Sequence, residues 1–329
     1  MHKFSRRCGY IKKSRTDLLV DVARMYYCEG LSQEEISQTI HLSRSSVSRM
    51  LKLCLEKKIV EFRINDTDSM KVYLQDTIKE KFGLKKVLIV PTGFNHEETI
   101  INLGKEGAKY LESVLVNGIN LGVAWGTTLY YLVQAFFPER KINVDVIQLI
   151  GGTCSRDIET DGLELTTNIS KRLKGNCYVF HAPLIVQNKI LRDMLLQEPD
   201  ISAHFKRFNE IQIALVGIGS SMPDANALVK AGYITPTQSE ELMSMGVVGN
   251  ICGNHIDING TLCNVEMNER TIGIGLEELK RIPNVIGIAA GKRKIKPILA
   301  SLRGNIIDTL ITDEITAIEL LKESKDLTK

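Results

Sequence analysis

The sequence predicts an α/β protein in which an N-terminal winged helix-turn-helix precedes a doubly wound sheet of parallel strands. Residues 31–59 have the pattern of two short helices joined by a tight turn. After residue 83, short β-branched apolar runs alternate with helical periodicity, which is typical of parallel strands covered on both faces. The chain has 329 residues, enough for two domains. We expect a helical domain over residues 1–65, a linker helix over 66–82 and an α/β domain over 83–329.

The helical domain is predicted to begin with a helix over residues 16–29. Thr16 is a candidate N-cap. Gly30 is well placed to end the helix, because glycine adopts the left-handed conformation without strain. The apolar residues expected on its buried face are Leu19, Val22, Ala23, Tyr26 and Tyr27.

Two further helices are predicted on either side of a turn at residues 40–42. Ser32 and Glu35 have the spacing of a capping box, and Ser43 is a candidate N-cap for the second helix. His41 stands where such turns usually have glycine; histidine tolerates a positive φ at a strain on the order of 1 kcal/mol. The inward stripe expected for the second helix is Val47, Met50, Leu51, Leu53 and Cys54.

The second of these helices begins with small polar and basic residues, a pattern that suits the major groove of DNA. Small side chains let its backbone approach a groove about 12 Å wide, and arginine can bind a guanine edge or a phosphate. The alternative is a plain αα-hairpin inside a helical domain. If the motif binds DNA, the contacts are expected from Gln33, Ser43, Arg44, Ser45, Ser46, Arg49 and Lys52.

Charge is distributed unevenly along the chain. Residues 1–60 contain 12 Lys and Arg against 6 Asp and Glu, whereas residues 61–329 contain 30 against 33. A basic module attached to a slightly acidic one suits a polyanionic partner for the first module. The basic residues before residue 16 form either an arm on the DNA backbone or a plain tail.

A short strand and an amphipathic helix are predicted to follow the helical motif. Apolar and polar residues alternate over 59–64, as in the first strand of a wing. The polar residues 65–69 are the expected hinge. The helix expected over 70–81 either connects the domains or pairs with a second subunit.

Six apolar runs are predicted to be the strands of the parallel sheet. They are short and β-branched, and they lack the alternation of a sheet that has one face in water. Helices are expected between them, including segments over 99–116, 128–137 and 313–322. The predicted strands cover residues 87–90, 119–125, 144–150, 211–219, 285–291 and 309–312.

Four of these strands end in glycine-rich turns, around residues 126, 151, 217 and 291. Ligands of open α/β sheets bind outside the carboxyl ends of the strands, where backbone amides and helix N-termini favour an anion. Glycine after a strand is often plain turn chemistry, but four such turns at one edge favour a pocket for a small phosphorylated molecule. Thr127 and Thr128 add hydroxyl donors there, and Lys292 and Lys294 add positive charge.

The cysteines and the N-terminus indicate a cytoplasmic protein. The seven cysteines contain no CxxC pair and no zinc-ligand spacing, so reduced thiols are the plain interpretation. No apolar run follows the basic N-terminus that is long enough for a signal peptide or a membrane span. We therefore expect no metal, no cofactor and no membrane partner.

Seven short motifs occur in a fixed order between about residues 17 and 322: SRSSVSRML, GVAWGTTL, VIQLIGG, VGIG, GVVGNICG, NERTIGI and AAGKRK. This set resembles the SorC family of bacterial sugar-responsive transcriptional regulators. The resemblance implies a DNA-binding domain and an effector domain similar in fold to sugar-phosphate isomerases and glucosamine-phosphate deaminases. It also implies a homotetramer or dimer of dimers whose DNA affinity changes when a phosphorylated sugar binds.

The resemblance also implies the positions that bind the effector. The phosphate is expected at the loop that starts at Gly126 and at the basic loop around Lys294, with the turn at residues 151–153 on the sugar side. Asn250 stands where relatives often have an acidic residue, and Ile150 where some have an imine-forming lysine, so binding is expected to be non-covalent. The full expected set is Gly126, Thr127, Thr128, Gly151, Gly152, Thr153, Gly217, Gly219, Asn250, Gly291 and Lys294.

Several other polar residues have two possible roles. Arg270 is expected to pair with Glu266, with the effector as the alternative partner. Asp161 and Glu164 are placed in a loop that either closes over the crevice or is simply solvated. Structural roles are expected for His181, His255 and Trp125, although the indole ring is also able to stack on a sugar.

These features predict a transcriptional regulator of a sugar catabolic operon, a repressor in the simplest case, that binds double-stranded operator DNA. A phosphorylated sugar that binds two quaternary states with different affinity would change the spacing of paired recognition helices, about 34 Å. The rival hypothesis is a sugar-phosphate isomerase or deaminase with an appended helical domain. The absence of a histidine or carboxylate pair beside the glycine turns weighs against it. A weaker alternative is a sugar-phosphate store or adaptor without DNA contact.

Overall fold

The computed structural model describes residues 15–60, 67–153 and 158–326. The chain divides into two compact units, residues 1–67 and 68–329. Among the described residues, no helix combines the length and the apolar character that crossing a membrane requires.

The first unit is built from three helices around a small apolar core. Val22, Ile36 and Val47 are fully buried at its centre. The predicted inward stripe of the third helix is confirmed at Val47, Leu51 and Cys54, while its other two members are half-buried. The helices are α1 (Arg15–Tyr27), α2 (Gln33–Ile40) and α3 (Arg44–Glu56).

The junction of α2 and α3 has the capping geometry that the sequence predicts. The backbone N–H of Glu35 donates to Ser32 Oγ at 3.3 Å, and the N–H of Ser32 donates to Glu35 Oε2 at 2.8 Å. His41 ends α2 in the left-handed conformation, with φ 55° and ψ 40°. Ser43 Oγ then accepts from the N–H of Ser46 at 3.2 Å and starts α3. Each cap satisfies backbone groups that a helix end leaves without a partner.

Most of the predicted wing strand, and the basic arm, lie outside the described residues. Residues 59 and 60 form a bend, and residues 61–66 are not described. The helix predicted over residues 70–81 is present as α4 (Thr67–Phe82), which begins three residues earlier. Leu74 and Ile78 of α4 are buried in the core of the second unit.

A seven-stranded sheet in which every strand pairing is parallel forms the centre of the second unit. Its strand order is β1-β10-β9-β5-β2-β3-β4. A separate antiparallel sheet of three strands has the order β6-β7-β8. The strands are β1 (Lys86–Val90), β2 (Ile119–Val123), β3 (Val144–Gln148), β4 (Cys177–Tyr178), β5 (Ile213–Gly217), β6 (Gly219–Ser220), β7 (Gly249–Ile251), β8 (Asn254–Ile256), β9 (Asn284–Ile288) and β10 (Thr309–Asp313).

All six predicted strands are confirmed. The prediction of a mostly parallel α/β fold is confirmed as well. The inner strands are almost wholly buried, as continuous apolar runs require. Sequence patterns did not predict β4 or the strands of the small sheet. Each of these is only two or three residues long, too short for a recognisable apolar run.

Besides α4, eleven α-helices are described in the second unit, and they include the three that the sequence predicts after residue 83. The helices are α5 (His96–Val114), α6 (Thr127–Ala135), α7 (Gly162–Arg172), α8 (Lys189–Gln197), α9 (Pro199–Lys206), α10 (Ala227–Lys230), α11 (Pro236–Ser244), α12 (Glu266–Arg270), α13 (Leu276–Arg281), α14 (Ile295–Arg303) and α15 (Glu314–Asp326).

Gly104 allows α5 and α6 to approach closely. A Cβ atom built at Gly104 would lie 2.6 Å from the carbonyl carbon of Tyr131 and 2.8 Å from the backbone nitrogen of Leu132. Both neighbours are backbone atoms, so a side chain cannot be accommodated by a change of rotamer. The glycine therefore fixes α5 against α6.

We predict that Gly104→Ala destabilises the protein by about 1 to 2 kcal/mol. Alanine is favoured over glycine inside a helix by about 1 kcal/mol, but forcing two packed backbones apart costs more than this gain. Urea unfolding of the full chain measures the difference. Lys105→Ala, on the exposed side of α5, is the control and should change stability little. Equal stability of wild type and Gly104→Ala would contradict the packing argument.

Candidate functional site

A cavity of about 810 Å³ lies at the carboxyl ends of β2, β5 and β9. Its walls come from the residues that follow these strands, from the first turns of α5 and α6, and from the end of α10. Ligands of open α/β sheets bind in this position. The cavity is therefore the candidate functional site of the second unit.

The first turn of α6 forms one wall of this cavity. Gly126 is the N-cap residue of α6, with a φ of 123° that favours glycine. No side chain caps this helix end, and Thr127 and Thr128 of its first turn line the cavity. Because the N-terminus of a helix carries partial positive charge, this wall favours an anionic group.

Lys294 lies in the loop that follows β9 and supplies a half-buried ammonium group to the cavity. Its Nζ donates to the carbonyl oxygen of Ile218 at 2.7 Å, which holds the side chain against the end of β5. Burial, and to a smaller extent the nearby charge of Lys230, lower the pKa of Lys294 to about 8. This site penalises the charged form of the lysine, and a bound anion would favour that form.

An ion pair between Arg293 and Asp224 also contributes to the lining. Both side chains are more than half exposed. The hydrogen bond from Arg293 holds the pKa of Asp224 below its usual value, and the same contact raises the pKa of Arg293. An exposed pair of this kind contributes little to stability because water screens it.

The first turn of α5 and the β7 strand supply uncharged and acidic groups to the same cavity. His96 and Glu97 lie in the first turn of α5, and the Tyr131 hydroxyl donates to Glu97 Oε1 at 3.3 Å. Asn250 is buried in β7, with its amide next to Gly219 in β6. These groups can donate and accept hydrogen bonds, as recognition of hydroxyl groups requires.

The structure brings together eight of the eleven residues that the sequence assigns to effector binding. The turn formed by Gly151, Gly152 and Thr153 does not line this cavity. Gly152 and Thr153 line a second cavity of about 430 Å³, where Thr153 Oγ1 donates to Asp161 Oδ2 at 2.7 Å. The eight residues on the first cavity are Gly126, Thr127, Thr128, Gly217, Gly219, Asn250, Gly291 and Lys294.

The expected loop around Asp161 and Glu164 is not a loop. Asp161 is the N-cap of α7, where its Oδ1 accepts from the N–H of Leu163 at 2.8 Å. Glu164 lies in the first turn of α7 and accepts from Asn168 at 2.9 Å. The interpretation of a surface loop was wrong because Asp161 begins a helix.

The remaining polar expectations have mixed outcomes. Arg270 pairs with Glu266 at 3.5 Å as expected, and its Nε donates to the carbonyl oxygen of Val186 at 2.8 Å. His255 is buried beside Asn268, and burial lowers its pKa to about 4, in agreement with a structural role. His181 is exposed and lines the second cavity, so the expectation of a packed structural histidine was wrong. Trp125 is half-buried and lines the first cavity.

Sequence patterns did not identify five of the polar residues that line the first cavity. They lie outside the glycine-rich turns, on the first turn of α5, the middle of α6, the connection between β6 and α10, and the end of α10. No spacing rule links these segments; the fold brings them together. The five residues are His96, Glu97, Tyr131, Asp224 and Lys230.

On the first unit, most of the predicted DNA-contact residues are accessible. Arg44, Ser45, Arg49 and Lys52 of α3 are exposed. The Nε of Arg49 donates to the carbonyl oxygen of Ser45 at 3.3 Å, which leaves its terminal nitrogen atoms at the surface. Ser43 is also exposed, whereas Gln33 and Ser46 are half-buried.

The described residues contain no cluster of three or more His, Cys, Asp or Glu side chains that is arranged to hold a metal ion. A parallel α/β unit with a polar, cation-rich cavity at its carboxyl edge defines a small-molecule-binding protein. The family model Sugar-bind, described as "Putative sugar-binding domain", matches residues 69–322.

Named relatives extend this likeness to nearly the whole chain. The sorbitol operon regulator of Klebsiella pneumoniae is 32% identical over 313 residues, which are 93% of this chain and 98% of that protein. The deoxyribonucleoside regulator of Bacillus subtilis is 29% identical over 94% of this chain and 99% of that protein. The crystal structure of full-length SorC from Klebsiella pneumoniae matches with a TM-score of 0.73 at 29% identity, and covers 94% of this chain and 100% of that chain. The chain belongs to the SorC family of sugar-operon transcriptional regulators.

Membership of this family decides between the function classes that the sequence left open. The relatives and the structural neighbour are transcriptional regulators, not enzymes. The chain is therefore a sugar-related transcription regulator, and the isomerase or deaminase hypothesis is not supported.

Proposed function

We propose that this protein binds double-stranded operator DNA through the helix-turn-helix formed by α2 and α3, and that a phosphorylated sugar in the large cavity controls this binding. The main support is the electrostatic character of the cavity. The uncapped N-terminus of α6 and a half-buried lysine face the same space. Both favour a doubly charged phosphoryl group over a neutral sugar.

The DNA-binding part of the proposal rests on α3. Its exposed side chains are small or basic, as a helix in the major groove requires. We further propose that the protein acts in the cytoplasm as a homotetramer or a dimer of dimers. In such an assembly, a subunit rotation changes the distance between paired recognition helices, so an effector that prefers one arrangement changes operator affinity.

The proposed binding of the sugar is non-covalent. Ile150, the position where a lysine would form an imine, is fully buried and apolar. The sugar hydroxyls would instead meet Asn250, Glu97 and Tyr131 on the cavity wall. An amide, a carboxylate and a phenol can together accept and donate hydrogen bonds to several hydroxyls.

The experiment is a binding assay with DNA and ligand together. Full-length protein selects its operator from random duplexes, and fluorescence anisotropy then measures its affinity with and without pentose, hexose and polyol phosphates. We expect at least one phosphorylated sugar to change operator affinity, while its unphosphorylated form has a much weaker effect. Specific DNA binding that no sugar phosphate alters would refute the effector assignment, and absence of any selected duplex would refute the DNA assignment.

We predict that phosphorylated ligands bind more weakly as the pH rises above 8. Lys294 is charged below its pKa of about 8, and an anion binds the charged form. Sugar phosphates are already dianionic in this range, so their own titration does not oppose the trend. Affinity should fall on the order of tenfold between pH 8 and pH 9.5.

Calorimetric titration across this pH range measures the effect, and Lys294→Met is the control. The variant has no amine to titrate, so its affinity should stay nearly constant. A wild-type affinity that is flat over the same range would contradict a contact between Lys294 and the phosphate. The other acidic, basic and imidazole side chains that line the cavity are those of His96, Glu97, Asp224, Lys230, Lys292 and Arg293.

A further inference from the structure

Lys230 places a second ammonium group on the cavity wall that Lys294 occupies. The two lysines come from different elements, the end of α10 and the loop after β9. Both side chains line the same cavity, and the charge of Lys230 contributes to the lowered pKa of Lys294. Two like charges held near each other in a cavity repel, and an anion between them removes that repulsion.

The segment that carries Lys230 is firmly anchored. Asn226 is buried at the start of α10, where its Oδ1 accepts from the N–H of Leu228 at 2.9 Å. Its amide nitrogen donates to Ser239 Oγ at 2.8 Å. Leu228 is fully buried in the core of the unit. These contacts hold α10 so that Lys230, which is itself exposed, faces the cavity without being part of the core.

Among the described residues, neither lysine has a carboxylate within ion-pair distance. Asp224 lies in the same segment as Lys230, and the charge of Lys230 contributes to its lowered pKa. However, Asp224 is paired with Arg293. Glu97, the other carboxylate of the lining, accepts the hydrogen bond from Tyr131. The cavity lining therefore has more cationic than acidic side chains, and both of its carboxylates already have a partner.

We propose that Lys230 and Lys294 together bind the anionic group of the effector, and that Asp224 is a built-in competitor that weakens this binding. The inference rests on the proposed function and adds two residues to it. Lys230 contributes a direct charge contact. Asp224 contributes a negative charge that partly neutralises Lys230 and that occupies Arg293. An incoming phosphoryl group must attract the cationic side chains more strongly than the Asp224 carboxylate does. The site therefore favours a dianion over a monoanion.

Inorganic phosphate is the probe, because it contains the proposed group without a sugar. Thermal unfolding of the full-length protein over a phosphate series reports an apparent Kd, since a ligand that binds only the folded form raises the melting temperature. Four variants test the proposal: Lys230→Met, Lys230→Arg, Lys294→Met and Asp224→Asn. The matched control is Lys296→Met, an exposed lysine of α14 that does not line the cavity.

We expect Lys230→Met to raise the apparent Kd for phosphate about tenfold, as loss of one charged contact predicts. Asp224→Asn should lower it about twofold to fivefold, because the competing charge is removed while the side-chain size is kept. Lys296→Met should match wild type. Lys230→Arg retains the charge and should bind phosphate nearly as well as wild type, which separates loss of charge from damage to α10.

Two results would overturn the proposal while leaving the proposed function intact. The first is loss of phosphate binding in Lys294→Met with unchanged binding in Lys230→Met. The second is an Asp224→Asn variant that binds phosphate no better than wild type. If phosphate does not stabilise even the wild-type protein, the anion site itself is absent and the proposed function fails with it.

Discussion

Replacing Lys294 with methionine is expected to weaken binding of the phosphorylated effector by about 2 to 4 kcal/mol, roughly 30- to 700-fold. Lys294 is the one predicted effector residue with a full positive charge, and its Nζ is already held 2.7 Å from the carbonyl oxygen of Ile218. Little reorganisation is therefore needed when a phosphate arrives. Methionine keeps the length of the side chain and removes the charge, so the loss reports the electrostatic contact.

Isothermal titration with one sugar phosphate and with the same sugar lacking the phosphate separates charge from shape. The phosphorylated ligand should show the full loss, and the neutral sugar should change less than about threefold. Thr127→Ala should show a smaller loss with the same selectivity, because it removes one hydroxyl donor and leaves the backbone amides of α6 in place. Equal losses for both ligands would show that the phosphate does not bind at this wall.

Sequence patterns identified the sheet where the strands are long and apolar. The six five-residue strands of the parallel sheet were all predicted, because a continuous β-branched, apolar run is a strong signal. The two residues of β4 have no such signal, since they gain their strand conformation by pairing with β3. The small antiparallel sheet arises in the same way, from tertiary pairing of two- and three-residue segments.

The candidate site was predictable where it follows from topology. The carboxyl ends of parallel strands meet at one edge, so the turns after β2, β5 and β9 had to converge. The turn after β3 does not line this cavity, because it pairs with segments that come later in the chain. Gly151 donates its N–H to the carbonyl oxygen of Ile272 at 2.9 Å, and Gly152 donates to Ala182 at 2.8 Å. Pairings over such sequence separations have no local signature.

Lys230 and Asp224 illustrate the same limit for charged residues. Asp224 lies in the connection between β6 and α10, and Lys230 ends α10, a four-residue helix that is too short to show helical periodicity. Their place on the cavity depends on the buried Asn226 that anchors the segment. A sequence pattern can assign a lysine to the surface, but only the folded chain defines which surface.

Replacing Arg49 with alanine is expected to weaken specific operator binding by about 1 to 3 kcal/mol, roughly 5- to 150-fold. Arg49 is exposed on α3, and its Nε bond to the carbonyl oxygen of Ser45 directs the guanidinium group along the N-terminal turn of this helix. That turn is the part of a recognition helix that meets the base edges. Because the Arg49 side chain is exposed, the fold of the first unit should not change.

Fluorescence anisotropy with the selected operator and with a scrambled duplex, at several salt concentrations, distinguishes two roles for Arg49. A base contact predicts a larger loss for the operator than for the scrambled duplex, whereas a phosphate contact predicts equal losses and a shallower salt dependence. Lys79→Ala removes one positive charge from the exposed side of α4 and serves as the control for net charge. Unchanged affinity of Arg49→Ala for both duplexes would remove this residue from the DNA interface, because loss of a charged contact with either base or backbone must weaken at least one of them.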